Sequence, residues 1–312
     1  MLLRDLLIDR IAPLKNLCDR SVAMYEATLD RLRDHLGHEA TIDDLDDLTI
    51  AKFLRWRGTT VHYQRRGLIS PASLAKDSAH IRTLWNWCAK KRMKKSNGEL
   101  LEFPDYARPR VPKPRPVAYT VEDLQRLIST AKHRKGYIIP NVPACWYWPT
   151  KIMAMFQTGE RIGAVMAIRW GEVDLERCTL TFLAATRKGR SETITRAISH
   201  ELARMMAPQK RAADALVWPW LEGRKLESCY ASLKVLCRVA GVPYHPFHSI
   251  RKSTASYLKR AGKSAKGTLA HSSEEMAERH YYDDRITGVE SALDFLPPLD
   301  LDGPQPPEKP AD

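Results

Sequence analysis

The sequence predicts a mainly α-helical protein with one small β-hairpin, built as two domains that a linker joins. Its 312 residues are about the length of two ordinary domains. Apolar residues recur at a spacing of three to four through the first hundred positions, as amphipathic helices require. One hairpin is predicted, where segments 179–185 and 192–198 flank a Lys-Gly turn. We expect domains at 1–100 and 119–296, a linker at 101–118 and a disordered tail at 297–312.

Composition excludes several classes of protein. Hydrophobic residues make up 44% of the chain and charged residues 28%, values that are typical of globular proteins and exclude wholesale disorder. No run approaches the roughly 18–20 apolar residues of a membrane-spanning helix, which excludes an integral membrane protein. Charged residues interrupt the apolar opening of the chain, so it is a poor secretory signal, and we expect a cytoplasmic protein.

The cysteine pattern predicts neither a disulfide framework nor a zinc site, because it contains no CxxC pair. The six cysteines are Cys18, Cys88, Cys145, Cys178, Cys229 and Cys237. We expect them to be buried, reduced, small hydrophobic residues. His245 and His248 have no third ligand close by in the sequence, so no metal and no cofactor are expected.

Charge gives the first indication of a binding partner. The chain carries 50 Lys and Arg against 37 Asp and Glu, a net charge of +13. Such an excess favours polyanions, because each phosphate that a basic side chain neutralises releases counterions. Net charge alone does not separate a nucleic-acid-binding protein from an ordinary basic protein, so the position of the charge along the chain decides.

The N-terminal domain is predicted to be a small helical bundle. Its clearest helix spans residues 71–91, with Pro71 in the first turn, where proline is tolerated, and one apolar stripe from Leu74 to Cys88. Residues 14–36 and 49–56 show similar spacing.

The linker is basic and rich in proline. Five prolines between residues 104 and 116 alternate with basic residues, which predicts an extended, semi-rigid segment. Nine basic residues, our candidate DNA-binding set, lie on it or just before it: Lys90, Lys91, Arg92, Lys94, Lys95, Arg108, Arg110, Lys113 and Arg115. Such a segment could follow a phosphate backbone, and a solvated spacer is the alternative.

Four motifs of the second domain, which begins with Thr120 as a helix N-cap, could carry chemistry. The first, His248-Ser249-Ile250-Arg251, begins a helix. His248 and Arg251 lie on one face, while Ile250, Thr254, Tyr257 and Ala261 are expected to face the core. An arginine can hold two phosphate oxygens and a histidine can move a proton. A surface His and Arg on an ordinary basic helix is the alternative.

The second and third motifs are basic residues at turns. Thr158-Gly159 is predicted to end one apolar helix and to present Arg161 at the start of the next, where it could meet an anion. The alternative is a salt bridge from Arg161 to Glu160 or Glu172. Lys188 lies at the tip of the predicted hairpin, where it could reach a leaving oxygen, or it belongs to a solvated turn.

The fourth motif spans residues 269–282. Ser272 and Glu275 have capping-box spacing, which predicts a helix just after His271 with Tyr281 and Tyr282 in its last turn. A phenol becomes a useful nucleophile only beside a base or cations. Aromatic packing is the alternative for these tyrosines.

In this order, the motifs resemble those of the tyrosine recombinase (phage integrase) family, and the resemblance covers nearly the whole chain. It implies the two-domain architecture of that family, a helical core-DNA-binding domain plus an α/β catalytic domain. By this resemblance, Arg161 and Arg251 clamp the scissile phosphate and Lys188 protonates the leaving 5′ oxygen. His248 and His271 assist proton transfer and phosphate binding, and a tyrosine forms a 3′-phosphotyrosyl bond.

On this basis we expect a site-specific DNA recombinase, an integrase of a mobile element or phage. It would act on double-stranded DNA, assemble on it as a dimer to tetramer, and require neither ATP nor Mg²⁺. Residues 289–296 would form a helix that packs against a neighbouring protomer, and packing on its own domain is the alternative. No separate N-terminal arm-binding domain is apparent in the sequence, so binding to accessory sites is not expected.

The sequence departs from the family pattern at three positions. Ala164 stands where an acidic residue is common, and Ala270 replaces the usual glycine before His271. The nucleophile commonly lies nine residues after that histidine, a position that His280 occupies here, so we expect Tyr281, one residue later, to act in preference to Tyr282.

Two other functions are considered. A non-catalytic DNA-binding relative would keep the fold and lose strand exchange, as the departures at Ala164 and His280 allow. A metal-dependent nuclease would need clustered carboxylates, which the sequence lacks.

Overall fold

The computed structural model describes residues 1–61, 67–112, 115–187, 192–264, 278 and 280–288. The chain divides into two compact units, Met1–Pro114 and Arg115–Asp312. Both are mainly helical, and the second also contains a small antiparallel sheet, so the predicted fold class is confirmed. Among the described residues, no helix combines the length and the hydropathy that crossing a membrane requires.

The first unit is a small helical bundle. Its α-helices are α1 (Leu3–Leu6), α2 (Ala12–Leu14), α3 (Asp19–Leu36), α4 (Asp47–Thr59) and α5 (Pro71–Lys90), and the π-helical turn Leu7–Ile11 joins the first two. The three predicted helices correspond to α3, α4 and α5, while the short N-terminal turns were not predicted. Leu32, Phe53 and Leu84 pack in one core with the N-terminal turns.

Local capping explains where these helices begin and end. The side chain of Asp46 accepts a hydrogen bond from the Thr49 amide at the start of α4, and Ser70 does the same for Ser73 at the start of α5. Gly37 ends α3 at φ +80°, a left-handed conformation that glycine adopts without a steric penalty.

The first part of the predicted linker is held against α5. Arg82 donates hydrogen bonds to the carbonyls of Tyr106 at 2.9 Å and Pro104 at 2.8 Å. The indole of Trp85 donates to the carbonyl of Glu102 at 2.6 Å, and the Tyr106 side chain is buried. This stretch therefore packs with the first unit, and the described residues 101–112 and 115–120 contain neither helix nor strand.

The second unit contains seven α-helices that the structure describes from end to end, and the described residues Glu278 and His280 are also helical. The seven helices are α6 (Val121–Lys132), α7 (Ala144–Thr158), α8 (Ile162–Ala167), α9 (His200–Met206), α10 (Leu226–Ala240), α11 (His248–Arg260) and α12 (Asp284–Thr287). Thr120 caps α6 as predicted, in a reciprocal capping box with Asp123. Helices α6, α7 and α10 enclose a core that includes Leu127, Trp148 and Leu233.

The sheet of this unit has the strand order β1-β2-β3, and both pairs are antiparallel. Its strands are β1 (Val173–Asp174), β2 (Thr179–Phe182) and β3 (Ile194–Ala197). The predicted hairpin is therefore present as β2 and β3, with Thr179 opposite Ala197 and Phe182 opposite Ile194. Strand β1 was not predicted, and it pairs with β2 through only two residues.

Two expectations about burial were wrong in part. All six cysteines carry free thiols, but Cys18 and Cys145 are exposed rather than buried. Ala261, which was expected to face the core, follows the last turn of α11 and is exposed. Amphipathic spacing predicts a face correctly only while the helix continues.

Several predicted features lie outside the described residues. They are Lys113 in the linker, Lys188 at the hairpin tip, His271, the predicted helix at 289–296 and the tail at 297–312.

Candidate active site

The turn after α7 sets the position of Arg161. The Thr158 hydroxyl donates to the Ala154 carbonyl at 2.6 Å, and Gly159 ends the helix at φ +63°. The chain then reverses, and Arg161 becomes the N-cap residue of α8, with its side chain half-buried. As predicted, the Thr-Gly pair ends one helix and places the arginine at the start of the next.

Arg251 reaches this same turn from α11. Its Nη1 donates a hydrogen bond of 2.6 Å to the Gly159 carbonyl, and the residue is fully buried. Burial lowers the pKa of the Arg251 guanidinium, and the positive charge of Arg161 adds to this shift. The Tyr281 side chain opposes the shift, mainly through its charge and less through a hydrogen bond. Two arginines from separate helices therefore lie close together around one backbone turn.

Helix α11 is buried more completely than its sequence predicts. We expected Arg251 on an open face, opposite Ile250 and Thr254, but the side chains of Ser253 and Ser256 are also buried, so the helix is covered on most of its sides. The reason is that α7 packs on one side and the segment around Tyr281 packs on another. His248, in the first turn, is exposed.

Tyr281 lies against both predicted site residues of α11. Its ring centroid is 5.2 Å from that of His248, in an edge-on arrangement, and 5.5 Å from the Arg251 guanidinium carbon. A cavity of about 370 Å³ opens here, lined by His248, Lys252, His280 and Tyr281. The Tyr281 phenol, two histidines and the Lys252 ammonium thus share one opening.

Tyr282 has different neighbours. The Lys259 ammonium lies 5.5 Å from its ring centroid, and the Tyr282 side chain is buried against Ala255 as well as Tyr281. Contact with His248 and Arg251 therefore distinguishes Tyr281 from the adjacent tyrosine.

Backbone and side-chain contacts fix the segment that carries Tyr281. The Ser256 hydroxyl donates to the Tyr281 carbonyl at 3.2 Å and accepts from the Asp283 amide at 2.9 Å. The Asp283 carboxylate accepts from the Ala118 amide at 2.7 Å and from Arg285 at 2.6 Å. Burial opposes ionisation of Asp283, but these hydrogen bonds outweigh it and lower the pKa of the carboxyl group.

Sequence reasoning did not single out Ser256 or Asp283. A weak signal existed for Asp283, because aspartate is a preferred N-cap residue, and it does cap α12. Nothing in the local pattern indicated that Ser256 would bond to a residue 25 positions later.

Glu160 was considered only as a partner for Arg161, and the structure engages it elsewhere. Its carboxylate is almost fully buried, with Oε1 3.6 Å from Arg187 Nη2 and 4.0 Å from Arg196 Nη2. The other acid considered, Glu172, accepts from the Arg169 amide. We give one name, the arginine cluster, to Glu160, Arg161, Arg187, Arg196 and Arg251. Glu160 interacts electrostatically with Arg187, Arg196 and Arg251, and Arg251 also interacts with Arg161.

Most of the predicted DNA-binding residues are exposed. Those described are Lys90, Lys91, Arg92, Lys94, Arg108, Arg110 and Arg115, together with the half-buried Lys95. In the first unit they lie at the last residue of α5 and after it. In the second unit, Arg115 Nη1 lies 3.4 Å from Asp284 Oδ2, an exposed pair of the kind that contributes little to stability.

The sequence matches the Phage integrase family over residues 119–286, which is more than half of the chain. The chain belongs to the phage integrase family. A putative integrase/recombinase of Haemophilus influenzae is 23% identical over 215 residues, which cover 67% of this chain and 54% of that protein. A putative tyrosine recombinase XerC of Pseudomonas aeruginosa is 24% identical over 210 residues, covering 64% and 47%. The chain thus spans about half the length of these relatives.

Solved structures agree in fold with this member of the phage integrase family. A fragment of lambda integrase, solved as a dimer bound to a COC′ core site, matches with a TM-score of 0.63 at 15% identity, covering 93% of this chain and 99% of that chain. The Tn1549 transposon integrase, in complex with transposon right end DNA, matches with a TM-score of 0.64 at 13% identity, covering 94% and 96%. At these identities the likeness shows the fold.

Proposed function

We propose that the protein is a site-specific DNA recombinase that cuts and rejoins double-stranded DNA through a 3′-phosphotyrosyl intermediate. The observation that carries this proposal is the position of Tyr281, between His248 and Arg251 at the opening of a cavity. A phenol beside a histidine and a guanidinium has the neighbours that a tyrosine nucleophile needs. Family membership supports the same activity.

In this proposal, Arg161 and Arg251 hold the scissile phosphate. As its phosphorus is attacked, charge builds up on the non-bridging oxygens, and two fixed guanidinium groups stabilise that charge without reorganising. The hydrogen bond from Arg251 to Gly159 orients one guanidinium beside the turn that presents the other. These cations supply the electrostatic stabilisation for which other enzymes use a metal ion.

The tyrosine oxygen forms a bond to phosphorus while the bond to the 5′ oxygen breaks. We propose that His248 assists removal of the phenolic proton, because its ring meets that of Tyr281. By resemblance, Lys188 protonates the leaving 5′ oxygen and His271 assists at the phosphate. The covalent intermediate conserves the energy of the broken bond, so rejoining needs no nucleotide.

We propose that the exposed basic residues after α5 and along the linker bind the DNA backbone, and that protomers assemble as dimers to tetramers on DNA. Relatives of the same fold support this, because lambda integrase was solved as a dimer on a core site and as a tetramer on a Holliday junction. Activity on DNA, together with six free thiols, supports a cytoplasmic location. The family and fold matches give no support to the non-catalytic alternative.

Covalent trapping tests the proposal. On a nicked suicide substrate, Tyr281→Phe is expected to abolish the protein–DNA adduct, because it removes the attacking oxygen, while binding in a gel shift changes less than about threefold. Tyr282→Phe is the matched control and should still form adduct. Wild-type adduct should also form in EDTA. The assignment fails if Tyr281→Phe forms adduct and Tyr282→Phe does not.

A further inference from the structure

Two adjacent tyrosines, Tyr281 and Tyr282, pack along helix α11. The Tyr281 ring meets His248 and Arg251 in the first turn of the helix. The Tyr282 ring lies near Lys259, about two turns further along. The two phenols are chemically identical, so their positions on the helix decide which of them can attack a phosphate that the arginines hold.

One hydroxyl, that of Ser256, holds residues 281–283 on α11, and we call these residues the tyrosine segment. The hydroxyl donates to the Tyr281 carbonyl at 3.2 Å and accepts from the Asp283 amide at 2.9 Å. These two backbone groups flank Tyr282, so a single side chain binds the segment on both sides of that residue. Ser256 is fully buried. In the sequence of α11 it lies between Arg251, which meets Tyr281, and Lys259, which meets Tyr282.

The hydroxyl of Ser256 is used differently from two others on the same helix. Ser253 donates to the carbonyl four residues earlier at 3.0 Å, and Thr254 does the same at 3.2 Å. Such bonds within the helix are a common arrangement for serine and threonine. The Ser256 hydroxyl donates to the tyrosine segment instead. Its hydrogen bonds therefore hold another part of the chain rather than its own helix.

We infer that Ser256 is a positioning residue: it fixes the register of the tyrosine segment on α11 and so presents Tyr281, rather than Tyr282, to the scissile phosphate. This inference rests on the proposed function, and it concerns which phenol attacks and how well that phenol is aligned. Because Ser256 is fully buried, it acts through the backbone of the tyrosine segment and not by touching DNA.

Loss of this hydroxyl leaves two buried backbone groups without their partner. Ser256→Ala removes the donor to the Tyr281 carbonyl and the acceptor of the Asp283 amide. A buried polar group without a hydrogen bond is costly, so the segment is expected to shift until these groups find other partners. A misplacement of about 1 Å can slow a reaction by about 100-fold. We therefore expect slower attack by Tyr281, with the phosphate still held by Arg161 and Arg251.

The experiment follows adduct formation by the full chain on the nicked suicide substrate, in a single turnover at saturating DNA. Ser256→Ala is expected to lower the rate constant by about 10- to 100-fold. The final yield of adduct and the affinity in a gel shift should stay within about threefold of the wild type. A general loss of structure would lower yield and affinity and leave the rate constant of the folded fraction unchanged, and that result would overturn the inference.

Ser253→Ala is the matched control. Ser253 is as fully buried on α11 as Ser256, but its hydroxyl donates to the Tyr119 carbonyl at 2.7 Å rather than to the tyrosine segment. Its loss should lower the melting temperature about as much, while the rate constant stays within about threefold of the wild type. Equal slowing by the two alanine variants, or a wild-type rate for Ser256→Ala, would contradict the proposed role.

A second variant keeps the test available should Ser256→Ala fold poorly in a thermal melt. Ser256→Cys has a side chain of similar size that is a weaker donor and acceptor. It should show the same selective loss of rate, with yield and affinity retained. A wild-type rate for this variant in that case would count against the inference.

The choice of tyrosine is tested by mapping the DNA-linked peptide of the wild-type protein by mass spectrometry. The linkage is expected at Tyr281. Linkage at Tyr282 would overturn the inference, although the cleavage activity would stand. If the wild-type protein forms no adduct, it is the proposed function that fails.

Discussion

Asp77 and Glu160 are both buried carboxylates surrounded by arginines, but their contacts differ. Asp77 accepts hydrogen bonds from Thr28 at 3.1 Å, Arg31 at 2.6 Å and Arg57 at 3.2 Å. These partners come from α3 and α4, while Asp77 lies on α5, so the Asp77 cluster ties three helices of the first unit together. Among the described residues, Glu160 is held by longer ion pairs, and its Oε1 has no hydrogen-bond partner there.

The difference indicates what each cluster does. A buried carboxylate with its acceptor sites filled is a structural cross-link, and it stabilises one arrangement of the helices. In the arginine cluster, two guanidinium groups pair with one carboxylate, and Arg161 and Arg251 lie close by, so positive charge remains to meet an incoming phosphate. We therefore expect substitutions in the Asp77 cluster to lower stability, and substitutions in the arginine cluster to lower the rate of cleavage.

The largest expected effect is that of Arg251→Lys. Lysine keeps the charge but loses the planar fork that bonds to Gly159 and the phosphate together, so cleavage should fall by about 100-fold or more. Single-turnover cleavage at saturating DNA measures it, with the thermal melting temperature as a control for folding. Cleavage at close to the wild-type rate would show that Arg251 does not hold the phosphate.

Asp77→Asn is expected to have the opposite effect, lowering stability and leaving cleavage unchanged. The amide keeps the shape of the side chain but leaves Arg31 and Arg57 without their counter-charge. Because Arg31 is partly exposed, water compensates for part of this loss. The free energy of unfolding should therefore fall by about 2 kcal/mol. Urea denaturation measures it. Under conditions where the variant is folded, cleavage of saturating substrate should match the wild type. A large loss of cleavage in the folded variant would show that the first cluster is more than structural.

The smallest expected effect concerns exposed charge outside both clusters. The logarithm of the DNA-binding constant should fall steeply with the logarithm of salt concentration, by about 0.9 per phosphate contacted. Lys90→Gln should reduce this slope by about one contact, whereas Lys132→Gln, an exposed lysine outside the basic segment, should leave it unchanged. A wild-type slope worth only one or two contacts would contradict an extended DNA interface.

Features set by neighbouring residues could be predicted from the sequence, whereas contacts between distant residues could not. Helices α4, α5 and α6 follow from signals that lie within a few residues of one another, namely N-caps such as Ser70 and apolar spacing. Neither Asp77 nor Glu160 could be assigned a role, because Arg31 lies 46 residues from Asp77 and the partners of Glu160 lie on the hairpin. A single sequence contains no local pattern for such pairings.

The candidate site shows the same limit. Arg161, His248, Arg251 and Tyr281 were predicted as site residues, and the structure brings the last three into contact and places Arg161 near Arg251. The burial of Arg251 was not predicted, since a helical projection cannot include the segment that covers the helix from elsewhere in the chain. Their catalytic roles, like those of Lys188 and His271, stay predictions.

The hydrogen bond between the Ala118 amide and the Asp283 carboxylate has a mechanical consequence. Ala118 lies at the end of the proline-rich segment, and Asp283 is two residues after Tyr281. A pull on the chain at Ala118 must either break this 2.7 Å contact or shift Asp283, together with the Ser256 bonds that hold the tyrosine segment. Tension in the linker would therefore be felt at the proposed nucleophile before it reached the interior of the second unit.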